Sequence, residues 1–210
     1  MFTHNLEPIL FNLGFIEIRW YSLAYIFGIL IGWWYAKKII LVRFKIEGDK
    51  FSLKEFDDSI TILVLSIIIG GRMGYVFFYN PSYYLLYPLD ILKIWQGGMS
   101  FHGALIGIIV GIFLFSKKRK LNTLFLLDVI SCVAPIGIFF GRVANFINSE
   151  LVGKITNVPW SVVFPIQDMM SRHPSQLYEA LLEGIFLFII LNFLIYKKEY
   201  KTGTCSFLFL

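Results

Sequence analysis

Apolar residues run through this chain in five long blocks, separated by short polar stretches. The blocks cover roughly 20–40, 59–79, 99–116, 124–146 and 176–196. Each approaches the ~20 residues a helix needs to cross a bilayer. A sixth apolar run starts after Gly203 and stops at Leu210. The pattern predicts an all-α, polytopic membrane helix bundle: five full spans and the start of a sixth. Glycines recur at helical spacing inside the blocks: Gly28 and Gly32, Gly70 and Gly74, Gly103 with Gly107 and Gly111, Gly137 and Gly141. Residues four apart share one helix face, and glycine there admits a neighbouring backbone. Four spans with this spacing predict a close-packed bundle. No internal repeat or low-complexity linker divides the chain, so one integral membrane domain over 1–210 is expected.

Composition agrees. The chain is 57% hydrophobic and 16% charged, against about a quarter charged in soluble domains. A soluble fold with a large core is disfavoured, because several runs exceed a single core helix. Residues 1–18 lack a basic segment, and Glu7, Pro8 and Glu17 interrupt their apolar stretch. No cleavable signal peptide is expected there, so the first span would act as its own targeting signal. Cys132 and Cys205 lie far apart in sequence and lack metal spacing; they read as apolar-site residues.

The net charge of +5 could suggest nucleic acid, but its placement argues against that partner. Thirteen of the 19 basic residues fall in three stretches: Lys37–Lys54, Lys117–Lys120 and Lys197–Lys201. The loop after the second span carries only Lys93, and the segment before the first span only Arg19. The positive-inside rule then puts the N-terminus outside and the basic loops in the cytoplasm. The basic clusters serve as topology signals; contact with lipid headgroups is a further reading.

With that topology the polar residues gather at the outer ends of the spans: Tyr21, Arg72, His102, Arg142, Asn145, His173, Gln176, Tyr178 and Glu179. An ionisable group within a span costs about 2.5–3.5 kcal/mol on insertion scales and usually faces the bundle interior. Plainer readings stand beside each. Arg72 could snorkel to the headgroups. His102 could be a structural hydrogen-bonder at a helix start. Tyr21 beside Trp20 suits the interfacial aromatic belt. Asp128 suits a helix N-terminus. Glu183, one turn beyond Glu179, receives no role. In "GRVANFINSE", helical spacing places Arg142, Asn145 and Ser149 on one stripe, with Val143, Ala144 and Ile147 turned away. A guanidinium beside amide donors is an anion receptor that takes phosphate through parallel charge-assisted bonds. The residues alone thus indicate a membrane protein with an outward anion or phospholipid-headgroup site.

The same residues carry a resemblance. "GRVANFINSELVG" (141–153) and "SFHGALIG" (100–107, with Ala104 where glycine is common) resemble motifs of bacterial prolipoprotein diacylglyceryl transferases. "RWYSLAY", "GGRMGYVFFYN" and "RHPSQLYEALLEG" fall in the family's order and spacing. The resemblance spans essentially the whole chain. It implies transfer of the diacylglyceryl group of phosphatidylglycerol to the lipobox cysteine of a preprolipoprotein, in the cytoplasmic membrane, with the site facing the outer leaflet. A thioether forms, glycerol 1-phosphate leaves, and no metal or diffusible cofactor is implied. Carried onto this sequence, His102 would accept the thiol proton and Arg142 would stabilise the departing phosphate. Asn145 and Glu150 would orient the headgroup or hold Arg142. Tyr21 would bind substrate or position the base, and Arg72 would contact substrate. Gly153 would permit a tight turn. The family continues past this chain's last residue with a further helix and a tyrosine–arginine region, so a 210-residue form is expected to be weak or inactive. The alternatives are a lipid-binding remnant of the same fold and a small transporter. A transporter would place its ionisable groups near mid-membrane in two matching halves.

Overall fold

A computed structural model describes residues 2–14, 17–47 and 52–210. Lys50, counted above among the basic loop residues, lies outside them. Five helices are long and apolar enough to span a membrane: Trp20–Arg43, Leu53–Phe78, Phe101–Arg119, Thr123–Ile147 and Ser175–Ile195. They confirm the polytopic helical class. The chain packs as two compact units. One comprises Met1–Ile39 with Asp128–Leu210, and the other comprises Ile40–Leu127.

The second unit is built on α2 (Leu53–Phe78) and α4 (Phe101–Arg119). α2 starts six residues before the apolar block does. Ser52 and Glu55 form a reciprocal capping box, Ser52 N–H donating to Glu55 Oε2 at 2.8 Å and Glu55 N–H to Ser52 Oγ at 3.2 Å. Capping fixes this boundary, so hydropathy, which discounts the polar first turns, misses it. The glycine spacing acts as expected. A Cβ on Gly74 would lie 2.6 Å from the Cα of Gly103, and one on Gly70 would lie 2.8 Å from the Cα of Gly107. Only bare backbones fit at this crossing. α3 (Pro81–Leu86) and two 3₁₀ turns, Pro88–Leu92 and Ile94–Gln96, join the two helices.

In the first unit, α1 (Trp20–Glu47) meets α5 (Thr123–Ile147), and a Cβ on Gly28 would lie 3.1 Å from the Cα of Gly137. The partner glycine Gly141 has open space where a Cβ would stand, so the second half of that expected pair makes no such contact. The last long helix starts as α6 (Ser175–Glu179), widens to π-helical turns over Ala180–Phe186, and continues as α7 (Leu187–Ile195). Short strands supplement the helices. β1 (Phe2–Thr3) pairs in parallel with β4 (Val162–Val163), which pairs antiparallel with β5 (Ser171–Arg172). β2 (Ile9–Asn12) and β3 (Glu17–Arg19) form a separate hairpin before α1.

One sequence reading changes here, that of Asp128, while the two cysteines lie in the buried surroundings expected of them. Asp128 lies in the second turn of α5 and serves a different helix. Its fully buried carboxylate accepts from the N–H groups of Gly203 and Ser206, at 2.5 and 2.6 Å, and from the Tyr200 hydroxyl. It thereby satisfies the amino end of α8 (Thr204–Phe209). Burial, and then this bond to Asp128, pushes the Tyr200 phenol above its usual range. Cys132 and Cys205, distant in sequence, are both fully buried, and each thiol reaches the Leu191 carbonyl, at 3.7 and 3.6 Å.

Candidate functional site

The end of α5 shows how the polar decade folds. The helix stops at Ile147. The Ser149 N–H donates to the Phe146 carbonyl at 3.0 Å and the Glu150 N–H to the Asn145 carbonyl at 2.9 Å. Ser149 takes the left-handed conformation, φ 56°. These are the two bonds and the backbone twist of a Schellman stop, with serine where glycine is usual. A non-glycine residue there costs about 1–2 kcal/mol, and its surroundings hold it. Ser149 is fully buried, its Oγ lies 3.1 Å from His4 Nδ1, and its carbonyl accepts from Gln167 Nε2 at 2.9 Å. Ser149 therefore leaves the helical stripe expected to include it. The stripe keeps Arg142 and Asn145, while Ser149 turns toward the N-terminal strand.

Glu150 follows the stop. Its Oε2 accepts from Asn145 Nδ2 at 3.0 Å and its Oε1 from Asn148 Nδ2 at 3.4 Å. Its carbonyl accepts from the buried Gln176 side chain at 2.5 Å. Glu150 is thus tied to the two asparagines, and the partners of Arg142 lie elsewhere. Its Nη1 meets Glu179 Oε2 at 2.9 Å and its Nη2 donates to Glu183 Oε2 at 3.4 Å. The guanidinium, expected beside amide donors, lies between two carboxylates. Glu183, left without a role by its sequence context, is one of them. The only signal available was its position one turn beyond Glu179. Tyr21 shares the unit; its hydroxyl accepts from Tyr25 at 3.2 Å, and Tyr25 lies within electrostatic reach of Glu150.

Gly153 holds the polar loop against the start of α6. Its N–H donates to the His173 carbonyl at 3.0 Å and its carbonyl accepts from Arg172 Nη1 at 2.9 Å. A Cβ there would come within 2.6 Å of the His173 oxygen. Glycine is needed for close approach. The tight turn itself falls on Ser149 and Leu151, both at positive φ. Arg172 is held by Asp168, whose carboxyl it lowers below the usual range, helped by the Met170 N–H. His173 Nδ1 and Trp160 Nε1 both reach the Tyr178 hydroxyl, at 3.1 and 2.7 Å.

Arg72 and His102 belong to the second unit. All five N–H donors of Arg72 go to backbone carbonyls. Nε binds Ile91, Nη1 binds Gly97 and Gly98, and Nη2 binds Asp90 and Lys93, at 2.6–3.4 Å. A guanidinium has five such donors and no more. The substrate contact expected of Arg72 gives way to a clamp on the 3₁₀ segment, and snorkelling is excluded by its burial. His102 sits in the first turn of α4 behind the Ser100 cap, exposed, its ring edge-on to Phe101. Ser100 takes the capping role that the plainer reading gave the histidine.

Comparison with known proteins decides the family. The family model described as prolipoprotein diacylglyceryl transferase matches residues 8–210. The chain belongs to the prolipoprotein diacylglyceryl transferase family. A relative from Rickettsia akari (strain Hartford), named phosphatidylglycerol–prolipoprotein diacylglyceryl transferase, is 53% identical over 195 residues, 93% of this chain and 74% of its own length. One of the same name from Rickettsia felis (strain ATCC VR-1525 / URRWXCal2) is 51% identical over 208 residues, 98% of this chain and 79% of its own. This family member is a multi-pass membrane protein.

Proposed function

We propose that the chain transfers the diacylglyceryl group of phosphatidylglycerol to the cysteine thiol in the lipobox of a preprolipoprotein. The observation that carries this is the family match across residues 8–210, joined by relatives of that name at 50% identity or above. In the reaction the thiol sulfur forms a bond to the glyceryl carbon while that carbon's bond to the phosphate oxygen breaks. Glycerol 1-phosphate leaves and the thiol proton is given up. The thiolate is the attacking form, and His102, exposed at the start of α4, is the acceptor we assign to its proton. Negative charge grows on the departing phosphate, where a fixed guanidinium is worth most; Arg142 is that group. Asn145 and Glu150, bonded to each other beside it, bind the headgroup, and Gly153 keeps their loop against α6. Tyr21 completes the substrate side.

The basic stretches at alternate helix ends support an orientation with the N-terminus outside and this site at the outer leaflet of the cytoplasmic membrane. The test is transfer of isotope from labelled phosphatidylglycerol in vesicles to a lipobox peptide by purified protein. Arg142→Ala should lower transfer by about 10²–10³, the usual loss of one charge-stabilising donor. An unchanged rate would remove Arg142 from the mechanism.

A further inference from the structure

The guanidinium assigned to the phosphate is already occupied. Both terminal nitrogens of Arg142 face carboxylates, Glu179 at 2.9 Å and Glu183 at 3.4 Å. A phosphate arriving end-on needs those same two donors. Two carboxylates and a phosphate around one cation would leave two negative charges uncompensated, so the lipid must displace one carboxylate.

The two glutamates are not equivalent. Glu179 makes the shorter contact, an ion pair without hydrogen-bond alignment; its side chain is 33% exposed, and its Oε2 is shielded from solvent and has no hydrogen-bond partner to replace the guanidinium. Glu183 makes the longer contact and is 49% exposed. Glu183 also lies within the π-helical turns, whereas Glu179 ends the regular turns before them. Single π-helical insertions in a helix are uncommon and collect at functional sites. Gly184 seats this stretch on α5: a Cβ there would lie 2.8 Å from that of Phe139, one turn before Arg142. The helix that supplies both carboxylates is thus fixed against the one that carries the arginine.

We infer that Glu179 is the lasting anchor of the Arg142 guanidinium, and that Glu183 occupies in the resting protein the place the lipid phosphate takes. This rests on the reading of Arg142 as phosphate receptor. Glu183 keeps the guanidinium aimed into the site while no lipid is bound. Exchange of one charge-assisted bond for another then lets the headgroup in. Glu179 is a positioning residue: it acts through Arg142.

Steady-state transfer with labelled phosphatidylglycerol tests both parts. Glu183→Gln keeps the shape and removes the competing charge. It should lower KM for phosphatidylglycerol about two- to fivefold, as loss of a half-exposed ion pair allows. Inhibition by added glycerol 1-phosphate should tighten in the same proportion. Glu179→Gln should instead lower kcat, on the order of 10- to 100-fold, because the guanidinium loses its aim. A KM that stays or rises in Glu183→Gln, with unchanged inhibition, overturns the exchange; an unchanged kcat in Glu179→Gln overturns the anchor. Detergent melting of both variants controls for folding. Arg142→Ala separates the two levels. If it retains transfer, the receptor reading itself fails. If it abolishes transfer while Glu183→Gln leaves KM unmoved, only the present inference fails.

Discussion

Replacing Arg72 with lysine keeps the charge and should still release the segment that Arg72 holds. Lysine brings three donors from a single point, so at least two of the five carbonyls lose their partner. A hydrogen bond to a charged group contributes about 1.5–3 kcal/mol, which bounds the loss of two at roughly 3–6 kcal/mol. The 3₁₀ segment is partly open to water, which recovers some of this, and about 2–4 kcal/mol is the expected loss of local stability. Hydrogen exchange in detergent reads this directly. The amides of Asp90, Lys93, Gln96 and Gly97, each bonded within the segment, should exchange on the order of 30- to 1000-fold faster in Arg72→Lys. The α2–α4 crossing should keep its protection. The assay also separates the clamp from the substrate contact that the sequence suggested. A substrate-binding arginine would raise KM for phosphatidylglycerol and leave these amides alone. Exchange within threefold of the parent protein would refute the clamp.

Gly153→Ala forces a Cβ against the His173 carbonyl; the overpacking should cost about 1–3 kcal/mol, read as a lower detergent Tm, together with slowed transfer. Burial pulls the His4 imidazole below its ordinary 6.5, against an opposing hydrogen bond with the Phe146 backbone. The unfolded state therefore binds more protons than the folded state just below pH 6.5, and stability falls as pH drops through that window. Melting between pH 5 and 7.5 should show a loss that His4→Gln flattens; equal slopes would exclude His4 as its source. Asp128→Asn leaves one acceptor oxygen for three donors, at about 2–4 kcal/mol, so limited proteolysis should cut after Tyr196 first.

What the sequence made legible is what repeats or what is costly. Five spans were visible because apolar length has only one use in a chain this poor in charge. Close packing was visible because close approach leaves glycine at every fourth place, but not that α2 and α4 are the helices that meet there. Arg142 and Asn145 were visible as polar groups at the end of a span. The rest depends on where a helix stops and what lies opposite. Helical spacing put Ser149 beside Arg142, but the backbone bonds that stop the helix turned it onto His4. Glu150 and Glu183 exchanged expectations, because an arginine pairs with whichever carboxylate packing brings near. Asp128 looked like a helix-start residue, and its partners lie more than 70 positions away. Gly153 was expected to permit a tight turn, and the structure instead packs it against the His173 carbonyl.

The Arg72 clamp bears on how the chain enters its membrane. The carbonyls that satisfy it are made 18 to 26 residues after it. Released into lipid alone, α2 would carry a naked guanidinium, a cost of about 2.5–3.5 kcal/mol on insertion scales. Its glycine face would also wait for the glycines of α4. Both needs end at once, when α4 arrives and the 3₁₀ segment closes over the arginine. Pairing therefore favours α2 and α4 settling as a hairpin whose turn, once folded, satisfies the arginine that one leg carries.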